Sequence, residues 1–579
     1  MSRFRWQDIL DRMRKLLVVC LTFAGLAHGA SPAPVAAKHG MVVTAQALDT
    51  RVGVDVLKRG GNAVDAAVAV GYTLAVVYPA AGNLGGGGFM TLQLADGRKT
   101  FIDFRETAPA AATEKMYQDA AGNVIPDLSV RGYLAVAIPG SVSGLEYALE
   151  KYGTRPRAEL IAPAIRFAES GYVLEQGDVD ILGEGTDDFR KDAPTAAIFL
   201  DHGRPLKAGA TLKQPDLART LKLVSARGAD GFYKGETARR IVAASKAGKG
   251  ILTEADLAGY RTRELEPVEC DYRGFHVVAP PPPSSGGVVL CEMLHVLEGY
   301  PLRDYGWGSA QALHVEIEAM RHAYVDRNHL LGDPSFVRNP LEMLLSSAYA
   351  QKIRATIDPR HAGVSSQLAP GVEAREGMHT THYSIADGQG NAASVTYTLN
   401  DWFGARVTAA GTGVLLNNEM DDFTSKPGVP NMYGLVQGAS NKIEPGKRPL
   451  SSMTPTIVTR DGKPWMIVGT PGGSRIITAT MLTFLNVVDY GMDLQEAVDA
   501  PRIHQQWLPE ETFVEDRAVN PDTRKLLEAM GHKLTKPQPE NHVAAILIGA
   551  PALNAAPVGD NKFYGAVDPR RNTGLALGF

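Results

Sequence analysis

Thr380 and Thr381 stand side by side at the start of a segment of alternating hydrophobicity, and a threonine hydroxyl is a potential nucleophile. The hydroxyl reacts poorly until a base removes its proton. If the chain were cut just before Thr380, the new α-amine could be that base, because its ordinary pKa of about 7.7 to 8.0 lies near neutral pH. Adjacent threonines also open many ordinary strands, since β-branched residues suit strands. The local sequence alone therefore favours a structural role.

Two glycine-containing runs fit no standard catalytic signature. Residues 85–88 are four glycines without the Gly-Lys-Ser/Thr ending of a phosphate-binding loop, so they are not a nucleotide site. Glycine there indicates either a close approach of the backbone to another segment or amide donors exposed to a ligand, and the sequence favours neither. Residues 140–144 have Val142 where a nucleophile elbow requires serine, which excludes a serine-hydrolase triad.

Three side chains are spaced like metal ligands. His314, Glu318 and His322 lie four residues apart on one face of a predicted helix. The glutamate does not directly follow the first histidine, as it does in the zinc-protease motif, so we favour a solvated or core-edge helix face. No metal is predicted.

Cys270 and Cys291 are the cysteines that remain once the N-terminal segment is removed. Neither has a histidine or cysteine neighbour at metal-ligand spacing, and two cysteines are too few for a disulfide framework. We therefore predict two small buried apolar side chains, and neither a metal site nor a bridge.

The N-terminus has the pattern of an export signal. Basic residues precede an apolar run at 16–27, and small residues follow it. The run is shorter than the roughly 20 residues that cross a bilayer, so cleavage after Gly29 is favoured over a retained membrane anchor. Cys20 lies inside the apolar run, which argues against lipid attachment. The sequence predicts a signal peptide at 1–29 and a periplasmic or secreted protein without a stable membrane span.

The composition is that of a folded globular protein. Apolar residues make up 44% and charged residues 21% of the 579 residues, enough for a large core. The net charge of -4 comes without any local concentration of lysine and arginine, so nucleic acid is not an expected partner. The length is compatible with one large layered unit or with two domains.

Helices and strands alternate along the predicted chain. Helices are predicted at 65–77, 160–170 and 310–329, and strands at 89–94 and 268–278. A Pro/Gly/Ser run at 279–287 cannot lie inside a sheet and is either a linker or a pocket wall. The last third is richer in strands, with a hairpin at 382–386 and 393–399, strands at 413–416, 454–459 and 465–469, and helices at 476–490 and 521–530. These proportions indicate a layered α/β fold.

The stretch before Thr380 is polar. Residues 363–377 (GVSSQLAPGVEAREG) form a loose tract that ends just before His379. An exposed tract at this point would suit proteolytic processing.

Ordered motifs along the chain closely resemble the γ-glutamyltranspeptidases. The resemblance runs from about Gly40 to Phe579 and rests on motifs that include GGNAVDAAVA at 60–69, GGGGFM at 85–90, DFRETAP at 103–109, TTHYS at 380–384, NNEMDDF at 417–423, KRPLSSMTPTIV at 447–458 and GTPGGSRII at 469–477. It implies the αββα sandwich of N-terminal-nucleophile hydrolases, self-cleaved into two entwined subunits. Carried onto this chain, the large subunit spans 30–379 and the small catalytic subunit 380–579.

The resemblance also implies the catalytic residues. Cleavage falls between His379 and Thr380, and Thr380 becomes the nucleophile. Thr398 helps to orient its amine and hydroxyl. Gly472 and Gly473 supply the two backbone N–H groups of an oxyanion hole.

Other matched residues are implied to bind the donor substrate. Its α-carboxylate is expected on Arg105, Ser451 and Ser452, because a guanidinium and two hydroxyls can donate to a carboxylate. Its α-amino group is expected on Asn400, Glu419 and Asp422. Tyr433, within a lid segment at 427–447, is expected to close over the bound donor.

The activity implied by the resemblance is that of a γ-glutamyltransferase and glutathione hydrolase without metal or cofactor. Thr380 would take the γ-glutamyl group of glutathione or a related donor and pass it to water or to an amino acid or peptide acceptor. A glutaryl- or cephalosporin-acylase and an exported binding protein without catalysis stay open as alternatives. The retained lid favours γ-glutamyl donors, while His379, Asp401-Trp402 and residues 551–560 depart from the family pattern.

Overall fold

Two antiparallel sheets of seven strands each organise the chain. Their strands, numbered in chain order, are β1 (Val35–Ala37), β2 (Gly40–Thr44), β3 (Gly87–Gln93), β4 (Lys99–Phe104), β5 (Arg263–Leu265), β6 (Val268–Tyr272), β7 (Phe275–Ala279), β8 (Thr381–Asp387), β9 (Ala392–Thr398), β10 (Thr456–Arg460), β11 (Lys463–Gly469), β12 (Ala544–Ile548), β13 (Phe563–Val567) and β14 (Leu575–Gly578). The first sheet has the order β1-β13-β12-β11-β10-β7-β6 and the second the order β14-β2-β8-β9-β3-β4-β5. All neighbouring strands within them are antiparallel.

The structure is a computed structural model that describes residues 31–368, 380–536 and 541–579. Within it, residues 34–579 form one compact unit. The predicted signal peptide at 1–29 and His379 lie outside the described residues. None of the helices in the described ranges has both the length and the apolar character needed to cross a bilayer.

Helices cover the outer face of each sheet. They are α1 (Ala47–Lys58), α2 (Ala63–Val77), α3 (Ser141–Tyr152), α4 (Arg157–Ser170), α5 (Gln176–Gly183), α6 (Thr186–Phe189), α7 (Ala193–Phe199), α8 (Pro215–Arg227), α9 (Asp230–Tyr233), α10 (Glu236–Ala247), α11 (Glu254–Gly259), α12 (Gly286–Leu297), α13 (Leu302–Tyr305), α14 (Ala310–Leu330), α15 (Leu341–Leu344), α16 (Ser347–Thr356), α17 (Ser365–Leu368), α18 (Arg475–Val488), α19 (Leu494–Asp499) and α20 (Pro521–Met530). Short strands pair outside the two large sheets: Tyr172–Val173, Leu200–Asp201, Arg204–Pro205, Thr211–Leu212, Thr408–Ala409, Val414–Leu415, Ile503–His504, Thr512–Val514 and Leu534–Thr535.

The layering follows from the alternation of side chains along the strands. In β2, Val42 packs in the core beneath α1 and α2, whereas Met41 and Val43 face the opposite way. These two share an inner core with Ile457 of β10, and the next residue, Val458, packs with the helices of the other outer layer. The chain therefore forms helix, sheet, sheet and helix layers, which confirms the predicted αββα sandwich.

Strands from both sides of residue 379 alternate within each sheet. In the second sheet, β8 and β9 lie between β2 and β3, with Ser384 opposite Val43 and Val395 opposite Met90. In the first sheet, β10 to β13 lie between β1 and β7. A cut before Thr380 would therefore leave two chains whose strands share both sheets.

Helix α2 shows how the sequence specifies a buried element. Its residues are mostly apolar on every face and all are buried, as expected for a helix inside a core. A capping box starts it: the Asn62 side chain accepts from the Asp65 N–H, and the Asp65 carboxylate accepts from the Asn62 N–H. The predicted helix at 65–77 is confirmed and begins two residues earlier, at Ala63.

The predicted strand at 268–278 is wrong in one respect, because it is a hairpin of β6 and β7. Tyr272 pairs with Phe275 across the turn. The turn residues Arg273 and Gly274 have φ values of 47° and 83°, which suit the tight connection between two antiparallel strands. Gly274 was the available turn signal, but the prediction of one strand passed over it because strand-forming residues continue on both sides.

Cys270 and Cys291 form a disulfide, which corrects the prediction of two unbridged side chains. Their Cα atoms are 5.9 Å apart, and the bridge joins β6 to α12 across 21 residues of sequence. The fold brings the strand and its covering helix together, a proximity that the spacing of the cysteines does not reveal.

Replacing Cys270 and Cys291 together by alanine should lower the free energy of unfolding by about 3 kcal/mol, because the unfolded chain regains loop entropy. Chemical denaturation of the wild type and the double variant measures the difference. Alkylation of either cysteine in the unfolded, unreduced wild type, or equal unfolding midpoints, would contradict the bridge.

Candidate active site

Thr380 and Thr398 meet where the central hairpin of the second sheet opens. Thr380 directly precedes β8, and Thr398 is the last residue of β9. Their neighbours Thr381 and Tyr397 are paired across the two strands. The Thr398 hydroxyl donates to the Thr380 hydroxyl at 3.3 Å, and both residues are buried. The Thr398 oxygen also accepts from the Asn400 N–H at 2.8 Å, which fixes its orientation. Hairpin pairing thus brings two threonines that are distant in sequence together.

The glycine run at 85–88 holds the backbone of Thr398. A Cβ on Gly86 would lie 1.9 Å from the Thr398 carbonyl oxygen, so no larger residue fits. The Asn83 side-chain amide donates to that same carbonyl at 2.9 Å and accepts from the Gly86 N–H. Of the two interpretations left open by the sequence, the structure shows close packing of backbones.

A cleft of about 300 Å³ opens at the threonine pair. Every site residue predicted within the described ranges lines this cleft except Gly472. The lining residues are Arg105, Arg327, Thr380, Thr398, Asn400, Glu419, Asp422, Tyr433, Leu435, Ser451, Ser452, Met453, Gly473, Ser474 and Ile476.

Arg105 forms the centre of a buried ionic cluster in the cleft. Its terminal nitrogens contact the carboxylates of Glu419 and Asp422, and its Nε donates to the Pro449 carbonyl at 3.2 Å. Burial opposes the charge of Arg105, but Glu419 and Asp422 hold its pKa above the ordinary value. These contacts use three of the five N–H groups of the guanidinium.

Glu106 adds a carboxyl group that the sequence reasoning missed. It is fully buried, and its Oε2 lies 3.7 Å from the Arg105 guanidinium. Burial raises the pKa of Glu106 to about 7 despite the opposing effect of Arg105, and burial raises the pKa of Glu419 as well. Its position directly after Arg105 in the DFRETAP motif was the sequence signal that could have identified it as a site residue. Three carboxyl groups thus surround one guanidinium.

Ser451 and Ser452 present hydroxyl groups on another wall of the cleft. The Ser451 oxygen accepts from the Met453 N–H at 3.1 Å, and the Ser452 oxygen accepts from Arg327 Nη2 at 2.9 Å. Because each oxygen is already an acceptor, each O–H can donate into the cleft. The Pro/Gly/Ser run at 279–287 lies behind them, since the Ser285 hydroxyl donates to the Ser451 carbonyl. This run is not a linker: it packs behind the residues that line the cleft and does not line it itself.

Gly472 and Gly473 form a turn between β11 and α18. Their φ values are 134° and 54°, and a Cβ on Gly472 would lie 2.2 Å from the Asn541 side-chain nitrogen, so only glycine fits there. Their carbonyls accept from the N–H groups of Arg475 and Ile476 at the start of α18. Gly473 lines the cleft, and within the described ranges neither glycine N–H donates to a backbone carbonyl, which leaves both available as donors to an oxyanion.

Tyr433 ties the predicted lid segment to the nucleophile side of the cleft. It is buried, and its hydroxyl donates to the Asn400 carbonyl at 2.7 Å. Asn400 has a φ of 77°, a conformation that asparagine tolerates better than most residues, and its side-chain amide donates to the Asn418 carbonyl. Asn431, also in the lid, donates to Asp422 at 3.3 Å. The lid therefore contacts both the threonine end and the acidic end.

The histidine face of α14 lies at the edge of the core, with His314 and Glu318 buried and His322 half-buried. His314 hydrogen-bonds through Nδ1 to His532 at 2.8 Å and through Nε2 to the Asp358 carbonyl at 2.8 Å. Glu318 lies close to both histidines, whereas His322 is not part of this group. The sequence spacing identified His314 and Glu318 of this group. The third side chain, His532, lies after α20 and is brought to them by the fold.

The polar tract before Thr380 is anchored at its start. Ser365 is fully buried, whereas Val364 and residues 366–368 are exposed, as expected for this tract. The Ser365 N–H donates to Glu510 at 2.7 Å, and its carbonyl accepts from the Trp507 indole at 2.9 Å. Arg321 contacts both the Ser365 hydroxyl and the Glu510 carboxylate. Residues 369–379 lie outside the described part of the chain.

Replacing Thr398 by valine keeps its shape but removes the hydroxyl that contacts Thr380 and Asn400. We expect about a tenfold or larger fall in kcat, the effect of about 1.4 kcal/mol from lost hydrogen bonds. Serine at this position should retain most of the rate. The measurement is steady-state turnover of γ-glutamyl-p-nitroanilide by fully cleaved protein, and equal kcat for the valine variant and the wild type would contradict the contact.

Comparisons with known proteins agree with this geometry. The Gamma-glutamyltranspeptidase family model matches residues 50–578. The chain is 68% identical over 553 residues to the glutathione hydrolase proenzyme of Pseudomonas sp. (strain A14), which covers 95% of this chain and 96% of the relative. It is 47% identical over 548 residues to the glutathione hydrolase proenzyme of Escherichia coli (strain K12), with 94% and 93% covered.

A solved structure shares the arrangement of layers. The cephalosporin acylase from Bacillus halodurans superposes with a TM-score of 0.82 at 28% identity, over 96% of this chain and 98% of that chain. The family match covers every lining residue of the cleft and all strands of the two sheets except β1 and β2. The chain therefore belongs to the γ-glutamyltranspeptidase family.

Proposed function

We propose that this chain is a γ-glutamyltransferase and glutathione hydrolase whose nucleophile is Thr380. The observation that carries the proposal is the contact of Thr380 with Thr398 at one side of a cleft that also holds buried cations and buried carboxyl groups. The relatives named glutathione hydrolase proenzyme, at 68% and 47% identity, support the same activity.

Self-cleavage between His379 and Thr380 is the first step of the proposed mechanism. The Thr380 hydroxyl attacks the carbonyl carbon of His379, the peptide C–N bond breaks, and hydrolysis of the resulting ester releases the large subunit, 30–379. The small subunit, 380–579, then starts with a free threonine amine. That amine can take the hydroxyl proton, which it cannot do while it is part of a peptide bond.

Acyl transfer follows in the mature protein. The Thr380 oxygen attacks the γ-amide carbon, the donor amine leaves with a proton, and a γ-glutamyl ester remains on Thr380. The N–H groups of Gly472 and Gly473 would stabilise the oxygen that becomes negative, and such a donor typically contributes on the order of 3 kcal/mol. Water or the amine of an amino acid or peptide then takes the γ-glutamyl group.

The charges in the cleft favour a γ-glutamyl donor over an acylase substrate. A γ-glutamyl group carries an α-ammonium and an α-carboxylate, and we assign these to Asn400, Glu419 and Asp422 and to Arg105, Ser451 and Ser452, respectively. A glutaryl group has the carboxylate without the ammonium. It would bring a further negative charge to the buried carboxyl groups without the cation that balances it. The closed lid residue Tyr433 is assigned to cover the donor.

Export to the periplasm or the outside is part of the proposal. The predicted signal peptide at 1–29 supports it, although these residues lie outside the described ranges. The Cys270–Cys291 disulfide supports it independently, because disulfides persist in oxidising compartments.

Donor preference tests the proposed function directly. The ratio of kcat/KM for γ-glutamyl-p-nitroanilide to that for glutaryl-p-nitroanilide should exceed about ten, because charge-assisted hydrogen bonds contribute about 1.5 to 3 kcal/mol. A preference for the glutaryl compound would identify an acylase. Cleaved protein that binds glutathione but turns over neither compound would identify a binding protein.

Replacing Thr380 by alanine should leave one uncleaved, inactive chain, because both the attacking hydroxyl and the processed nucleophile are lost. A denaturing gel and the p-nitroanilide assay measure the two effects. Serine at position 380 is the matched control and should still be processed, since it keeps a hydroxyl. Two subunits in the alanine variant would contradict self-cleavage by Thr380.

A further inference from the structure

Two histidines and a glutamate meet in the helical layer, and the account so far gives them no role. His314 and Glu318 belong to α14, and His532 follows α20. One candidate ligand atom from each residue lies within 4.8 Å of the other two, and all three residues are buried. They are not among the residues that line the cleft at Thr380. A buried cluster of this composition therefore needs an explanation outside the catalytic site.

The hydrogen bonds of the histidine pair determine which ring nitrogens carry a hydrogen. A carbonyl oxygen can only accept, so His314 Nε2 donates to the Asp358 carbonyl at 2.8 Å. In the neutral ring His314 Nδ1 then keeps a lone pair, and His532 Nε2 donates to it at 2.8 Å. The remaining nitrogen, His532 Nδ1, is buried and has no hydrogen-bond partner among the described residues. The pair's own hydrogen bonds therefore do not use the full capacity of its two neutral rings.

Backbone groups of residues 358–363 hold two of the three side chains in place. The Asp358 carbonyl orients the His314 ring, and the Gly363 N–H donates to Glu318 Oε1 at 3.1 Å. A Cβ at Gly363 would lie 2.5 Å from Glu318 Oε2, so glycine leaves room for this second oxygen. Metal-binding histidines and carboxylates are usually oriented by such outer contacts, which fix the tautomer and the direction of the ligand atom. The surroundings of the cluster therefore match those of a metal site.

The charges around the cluster permit a divalent cation. Glu318 supplies one carboxylate, and Arg321 of the same helix places its Nε 3.4 Å from Glu318 Oε1. A terminal nitrogen of Arg321 also contacts the Glu510 carboxylate, so a second negative charge balances the guanidinium. The Glu318 carboxylate thus remains available as the counter-charge of a buried metal ion.

Two imidazoles and one carboxylate form a ligand set that suits Zn²⁺. Mg²⁺ and Ca²⁺ prefer oxygen ligands and fit this set poorly. In a tetrahedral site with Zn–N bonds of about 2.0 to 2.1 Å, two ligand nitrogens lie about 3.3 Å apart, so a bound ion would separate the hydrogen-bonded nitrogens of His314 and His532 by about 0.5 Å. The ion replaces the hydrogen between the rings, and that hydrogen moves to His532 Nδ1.

We propose that His314, Glu318 and His532 form a structural Zn²⁺ site that joins the two subunits. His314 and Glu318 lie in the proposed large subunit, 30–379, whereas His532 lies in the proposed small subunit, 380–579. The ion therefore links the two chains after cleavage, in addition to the strands that they share. The three ligands do not line the cleft, so the site is structural and does not depend on the proposed γ-glutamyl transfer.

Calorimetric titration of Zn²⁺ into fully cleaved protein, first treated with EDTA and dialysed, tests the site. We expect one Zn²⁺ per heterodimer and a higher melting temperature in excess Zn²⁺, because a ligand that binds only the folded state stabilises it. Mg²⁺ should produce neither effect. A wild type that lacks stoichiometric Zn²⁺ binding, or that binds Mg²⁺ equally well, would overturn the proposal. No γ-glutamyl donor is used, so this failure is distinct from failure of the proposed function.

His532→Gln removes the ligand that comes from the small subunit. It should weaken Zn²⁺ binding by about 100-fold or more, since loss of an outer contact alone typically costs 10- to 100-fold, and it should abolish the rise in melting temperature. His322→Gln is the matched control, because His322 lies on the same helix but outside the group, and it should bind Zn²⁺ like the wild type. Wild-type affinity in the His532→Gln variant would contradict the site.

Glu318→Gln keeps the test decisive if His532→Gln does not fold. It preserves the size of the side chain and an acceptor for the Gly363 N–H, but it removes the counter-charge, so affinity for Zn²⁺ should fall by about tenfold or more. Unchanged affinity would again contradict the site.

The link between the subunits has its own measurement. Size-exclusion chromatography in urea should show that Zn²⁺-loaded wild type stays a heterodimer at urea concentrations that separate the EDTA-treated protein. Separation at the same urea concentration with and without Zn²⁺ would show that the ion does not join the two chains.

Discussion

The contact between the Thr380 and Thr398 hydroxyls requires strands from both sides of residue 379 to pair in one sheet. Strand β8 carries Thr380 at its start and lies between β2 and β9, so its position is set by the large-subunit segment as well as by its own hairpin. A threonine placed this way has its hydroxyl held while its amine still belongs to a peptide bond. Folding must therefore precede cleavage, and the cut needs no rearrangement of the sheets.

Buried charge is the second constraint on the site. Arg105 lies among three carboxyl groups, and Arg327 donates to Ser452. Buried cations and buried carboxyl groups thus line one cleft, which suits a substrate that carries both charges of an amino acid. The substrate class thus follows from the distribution of charge, while the chemistry follows from the threonine pair. The glycine turn at 472–473 completes the arrangement, because only glycine fits at Gly472.

Much of this site could be predicted from the sequence because its residues lie in motifs that resemble a known family. Periodicity alone located α14 and the β8–β9 hairpin, since both patterns are regular over their whole lengths. It could not locate Arg327 or pair Cys270 with Cys291, because both depend on how a helix packs over a sheet. The turn at Arg273 could have been found locally, because the Gly274 that follows is depleted in strands and favours turns. Local sequence shows which elements form, and tertiary contacts decide which side chains become buried neighbours.

The central claim is that the free N-terminal threonine carries the γ-glutamyl group during catalysis. The most direct measurement is rapid acid quenching of the enzyme during turnover, followed by mass spectrometry of its peptides. The account predicts a small-subunit N-terminal peptide that begins with Thr380 and carries the mass of one γ-glutamyl group, located on Thr380 by fragmentation. A γ-glutamyl group on another residue, or an active protein whose chain is intact through His379 and Thr380, would contradict it.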